Sequence, residues 1–172
     1  MAHLSEERLR AAVIDLGSMA VRLHVAEGLG GEFSGPINDG NPAISFRTLH
    51  VERRILRLGE GLTPGEALNS QLMEKTLDFL LKFKSTIHNF QVDTSWVRIV
   101  CTEALRRAAN GLDFAERIER ETGFPTVILL SEEEAQWTAQ GVLLARPSFS
   151  DPTLIVDLGG GSTEFIWVRD SR

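Results

Sequence analysis

One pattern occurs twice in this chain, and it restricts the folds open to it more than any other feature. Val13-Ile14-Asp15-Leu16-Gly17-Ser18 near the start is echoed by Ile155-Val156-Asp157-Leu158-Gly159-Gly160-Gly161-Ser162-Thr163-Glu164 near the end. Each copy is a short apolar run, an Asp, a Gly/Ser segment and a second apolar run, at residues 21–25 and 165–168. That pattern predicts a β-hairpin with an open, glycine-rich turn. Glycines let the backbone approach a ligand closely, and successive N–H groups can cradle an anion. An Asp at the strand end can hold a hydrated Mg²⁺ or a water. A single Asp-x-Gly is ordinarily just a turn. Two copies with matching strands predict two lobes gripping one phosphate chain, and the second copy, with its three consecutive glycines, is the more specific.

Composition narrows the field. The chain has 172 residues, 42% hydrophobic and 24% charged, with a net charge of −6 and a pI of about 5.3. That supports one full core and little more. No basic tract or arginine–aromatic interleaving is present, so no nucleic-acid partner is expected. An acidic protein that binds polyanions must concentrate its positive charge locally, and Arg22, Arg53, Arg54, Arg57, Arg106 and Arg107 are the candidates. For Arg53 and Arg54 a solvated strand face is the default reading. The lone Cys101 excludes an intramolecular disulfide and reads as a small core residue. The four histidines show no metal-ligand spacing. No membrane span and no signal peptide is evident, so a cytoplasmic protein is expected.

Between the hairpins the punctuation is clear. A Gly-, Asn- and Pro-rich loop covers residues 28–42, and a third strand is predicted over 46–58, followed by the turn Gly59-Glu60-Gly61. Thr63-Pro64-Gly65-Glu66 has the form of a capping box and predicts a helix running to about His88. A strand is expected over 96–100 and a short helix from Thr102. A further helix should be capped by Asn110 and ended by Gly123, with Pro125 just beyond. A strand over 126–130, a helix from Ser131 to about Ala145 and a linker over 147–152 complete the order. Three early strands followed by alternating strands and helices imply an α/β fold, a mixed sheet with helices packed on it. Residues 1–147 are therefore expected to form one domain. Residues 148–172 should be a linker and the first hairpin of a second, similar domain, too short to close a core.

These stretches resemble the N-terminal part of the exopolyphosphatase/guanosine pentaphosphatase family, within the actin, heat-shock chaperone and sugar-kinase superfamily. The resemblance rests on residues 14–18 with Arg22, on Arg57-Leu58-Gly59-Glu60-Gly61-Leu62, on residues 102–110, on Glu133-Glu134-Ala135, and on residues 156–164, in the family's order. It implies ribonuclease-H-like domains facing across a cleft, and Mg²⁺-dependent hydrolysis of the terminal phosphate of polyphosphate or of guanosine pentaphosphate. It makes Glu134 the catalytic base, with Asp157 and Glu164 holding Mg²⁺ or positioning the water. Asp15, Gly17, Ser18 and Arg22, with Gly159, Gly160, Gly161, Ser162 and Thr163, match the phosphate-binding loops, and Arg106 joins them. Glu134 also has a structural reading, since Ser131-x-x-Glu134 is itself a capping box. A carboxylate turned back on its helix start is not turned toward water.

Two departures from the family's pattern stand out. Met19 and Ala20 replace an amide and a hydroxyl in the first loop, and Leu130-Ser131 stands where the family has Ser-Gly. The first predicts weaker or altered phosphate binding and keeps open a non-catalytic sensor of alarmones or polyphosphate. A kinase of the same superfamily would need adenosine-binding elements that this chain does not show. The chain is expected to be a piece of a longer protein, a homodimer when intact. Alone, it should be inactive and self-associate through residues 153–169.

Overall fold

The computed structural model describes residues 9–28, 46–145 and 152–169. Residues 29–42 of the predicted loop and 147–151 of the predicted linker lie outside them. Strands β1 (Leu9–Leu16) and β2 (Ala20–Gly28) form the first predicted hairpin, and β3 (Phe46–Ile55) extends it antiparallel. β4 (Val97–Cys101) pairs parallel to β1, and β5 (Thr126–Ile128) parallel to β4, giving the order β3-β2-β1-β4-β5. A separate two-stranded sheet holds the second hairpin, β6 (Thr153–Leu158) and β7 (Thr163–Val168).

Alternation decides which face each strand buries. Ala12, Ile14 and Leu16, Val21, Leu23 and Val25, and Val97, Ile99 and Cys101 point to one side of the five-stranded sheet. They meet Leu77, Leu80, Phe83 and Ile87 of helix α1 (Ser70–Asn89) and Phe114, Ala115 and Ile118 of helix α3 (Gly111–Thr122) in one core. Cys101 is wholly buried there and burial pushes its thiol far up, so it packs as a small apolar residue. On the opposite face, helix α4 (Ser131–Ala145) leaves a groove of about 520 Å³ lined by Val13, Val100, Val127 and Trp137. No residue of α4 is buried. Among the described residues no helix is long and apolar enough to cross a membrane.

Several predicted boundaries move, each for a local reason. The Thr63–Glu66 capping box opens no helix. Thr63 N–H does reach the Glu66 carboxylate at 3.3 Å, but Gly65 sits at φ +84°, which no helix accommodates. The chain there is tied instead to residues 107–110: Gly65 N–H donates to the Arg107 carbonyl, and Ala109 N–H to that of Glu66. The helix starts six residues later, where Asn69 caps the N–H groups of Gln71 and Leu72. Asn110 precedes α3 without a side-chain cap, because its Oδ1 accepts from Leu68 N–H at 2.8 Å. β3 ends at Ile55 rather than continuing to 58, since Leu56 and Arg57 turn their N–H groups to the Met19 carbonyl. Gly123 closes α3 in the left-handed conformation as expected.

Candidate active site

The two hairpins are built alike. In the first, Leu16 pairs with Val21 and Asp15 with Arg22; in the second, Leu158 pairs with Thr163 and Asp157 with Glu164. Each leaves a four-residue loop closed by the same bond, Gly17 N–H to the Ala20 carbonyl and Gly159 N–H to the Ser162 carbonyl, both 3.0 Å. Those two glycine amides therefore shape the loops. The N–H groups of Ser18, Met19, Gly160 and Gly161 donate no hydrogen bond among the described residues, which leaves them available to an anion.

The first loop is held from behind. Met19 carbonyl accepts from Leu56 and Arg57 N–H, and Ser18 carbonyl from Gly59 N–H. Arg57 takes φ +58° to make its bond, a conformation that costs about 1–3 kcal/mol and persists only where surroundings impose it. The loops meet closely. A Cβ on Gly160 would lie 2.5 Å from Met19 Cβ, and one on Gly161 1.9 Å from a Glu103 oxygen. Glycine at 160 and 161 is thus demanded by the contact between the hairpins.

Between them lies a cavity of about 200 Å³. Of the residues predicted for the site, Asp15, Gly17, Ser18, Arg22, Glu134, Asp157, Gly159, Gly160, Gly161, Ser162 and Glu164 line it. Thr163 is exposed at the start of β7 and Arg106 stands behind Glu134; neither is on the wall. Arg106 donates to Glu134 Oε2 at 3.0 Å and to the Leu129 carbonyl at 2.7 Å. The capping role falls to Glu133, whose carboxylate accepts from Leu130 N–H at 2.8 Å. The cap is one residue earlier than the Ser131 box implied, and Glu134 is released toward the cavity. Burial raises the Glu134 carboxyl above its ordinary value, opposed by Arg106 and reinforced by Glu164 and Asp15. Burial likewise raises Asp15, with Arg22 opposing and Asp157 adding to it.

Sequence reasoning missed Glu103. It starts the short helix α2 (Glu103–Arg107), accepts from Ser18 Oγ at 2.7 Å and from Arg107, and is buried. Burial is the largest influence on its carboxyl and would raise it, but Arg107, Ser18 and Arg106 together hold it below the ordinary range. The signal was topological. Leu16 and Cys101 are parallel partners, so Ser18 and Glu103, each two residues further on, meet outside the strands' carboxyl ends. Arg53, expected to be solvated, also lines the cavity.

A mixed sheet in this order, with helices on both faces and the site at the ends of the central strands, is an α/β fold of the ribonuclease-H-like, actin-like class. A sequence profile of the Ppx/GppA phosphatase family matches residues 37–172, and the chain belongs to that family. It is similar to the crystal structure of the Aquifex aeolicus Ppx/GppA family member, with 31% identity over 96% of this chain and 49% of that one and a TM-score of 0.74. It is also similar to an exopolyphosphatase from Cytophaga hutchinsonii, with 27% identity over 95% and 47% of the two chains and a TM-score of 0.78. The chain spans about half the length of these relatives.

Proposed function

We propose that the protein acts as a phosphohydrolase, releasing the terminal phosphate of inorganic polyphosphate or converting guanosine pentaphosphate to tetraphosphate. One observation carries the reading: two hairpins of the same loop length and closing hydrogen bond meet at one cavity, and Glu134 faces it with a raised carboxyl. The terminal phosphate would rest on the unengaged amides of both loops, with Arg22 supplying charge. Glu134, oriented by Arg106, would take a proton from the attacking water as the bond to the bridging oxygen breaks. A base with a raised pKa suits that task, and the rate should rise with pH through the Glu134 value.

The residues fit Mg²⁺. Asp157 and Glu164 face each other across the second hairpin, an arrangement of like charges that is unfavourable without a cation. Among the described residues no group of three or more acidic, His or Cys side chains encloses a metal site; an ion held here would take one or two carboxylates and its remaining ligands from water and phosphate. Bound there, Mg²⁺ would neutralise charge on the transferred phosphoryl group. Thr138 Oγ1 donates to Asp157 Oδ2 at 3.2 Å and would orient that ligand. A homodimer and a cytoplasmic location complete the proposal.

The test is Mg²⁺-dependent phosphate release from long-chain polyphosphate and from guanosine pentaphosphate by the full-length gene product carrying this chain, beside Glu134→Gln. Release should fall about 10²–10⁴-fold in the variant. No release from either substrate, with both proteins folded and binding intact, would replace the hydrolase by a sensor.

A further inference from the structure

Four arginines lie on β3 or just past it, and three are paired. Arg47 meets Glu27 at 2.8 Å, Arg54 meets Glu52 at 2.6 Å and Arg57 meets Glu60 at 3.3 Å. The Arg53 side chain has no ion pair or hydrogen bond among the described residues, yet it lines the cavity. The strand register explains its place. Arg53 is directly opposite Arg22, and Arg22 directly opposite Asp15, so the three form one row across β3, β2 and β1. Neighbouring strands are about 4.8 Å apart, so the row steps outward from the central strand toward the sheet edge.

Two guanidinium groups facing each other across strands repel, and a bound anion relieves that repulsion. Among the described residues, Arg22 and Arg53 are the cations on the cavity wall, against the carboxylates Asp15, Glu103, Glu134, Asp157 and Glu164. In the proposed reading the reacting phosphate sits beside Glu134 and the two loops. The remainder of a polyanion must then leave past cations rather than carboxylates, and the Arg22–Arg53 row is the route that offers them. We infer that Arg53 is a specificity-determining residue that grips a phosphate behind the terminal one, so that it favours phosphate chains over single phosphates. This rests on the proposed phosphohydrolase site.

The experiment compares Arg53→Gln, Arg53→Lys and the paired-arginine control Arg54→Gln with wild type in the full-length protein. Equilibrium binding is measured with orthophosphate and with long-chain polyphosphate, and turnover with the latter. Arg53→Gln should weaken polyphosphate binding about tenfold or more while orthophosphate changes less than about twofold. KM should rise with kcat preserved, as for an interaction equal in ground and transition states. Arg53→Lys should recover part of the loss, and Arg54→Gln should show none of it. Unchanged polyphosphate affinity in Arg53→Gln, or an equal loss for orthophosphate, would overturn the inference. Turnover that needs Glu134 but ignores Arg53 would sink this inference and leave the hydrolase standing. Arg53-dependent binding without turnover would do the reverse.

Discussion

The two hairpins share a loop, a register and a closing hydrogen bond, yet they differ in what faces the Asp and in what supports the strands. Asp15 faces Arg22, a pair of opposite charges beside a cavity. Asp157 faces Glu164, a pair that repels until a cation arrives. One backbone device thus carries an Asp–Arg pair on one side and an Asp–Glu pair on the other, which the proposed function assigns to phosphate and to metal respectively. The supports differ as much. The first hairpin is the middle of a five-stranded sheet over a continuous core. The second is a two-stranded ribbon in which, among the described residues, only Ile155 is buried, while Leu154, Val156, Leu158, Phe165 and Trp167 face outward. Isolated two-stranded hairpins are marginal in water, so the second half of the site borrows its placement from loop contacts at Met19 and Glu103 and from the Thr138–Asp157 hydrogen bond to α4.

The contrast in support is broken most strongly in the first core. Phe83→Ala removes a fully buried ring and should cost about 3–5 kcal/mol in denaturant unfolding; a loss under about 1 kcal/mol would show that the core is not continuous. Next in size is the electrostatic difference. In the full-length protein, Glu164→Arg gives the second hairpin the charge pair of the first, and on the proposed function phosphate release should fall about 10²-fold or more at saturating Mg²⁺, a result refuted by activity within threefold or so of wild type.

Glu103→Gln tests the junction and should cost about 1–2 kcal/mol at neutral pH. Its folded carboxyl titrates below the ordinary value, so its charge stabilises the fold above about pH 4.3, and that stabilisation is lost as pH falls through the lower folded value. The gap between variant and wild type should therefore close in acid, and a pH-independent gap would remove Glu103 from the network. Smallest is Phe165→Ala on the exposed ribbon, which should change unfolding by less than about 0.5 kcal/mol. The same exposed strands should make this chain self-associate through residues 153–169. A clean monomer by light scattering at high concentration would exclude that.

Periodicity and punctuation sufficed for the first hairpin, the end of α1, the Gly123 stop and α4, because each is written in consecutive residues. The Thr63–Glu66 box misled because its local bonds are real, but the loop at 107–110 claims the backbone beyond it. The Ser131 box misled by one register step: Glu133 caps, and Glu134, one residue on, points elsewhere.

By itself, then, the sequence determined the repeated Asp-Gly loops, the α/β alternation and most of the cavity's residue types, since these follow from local pattern. Only the tertiary structure decided that Glu103 meets Ser18, that Arg106 serves Glu134 rather than the cavity wall, and that Arg53 falls in line with Arg22 and Asp15. Those relations depend on which strands pair and in what register, and pairing between distant segments is settled by the burial of the whole sheet rather than by any one stretch of chain.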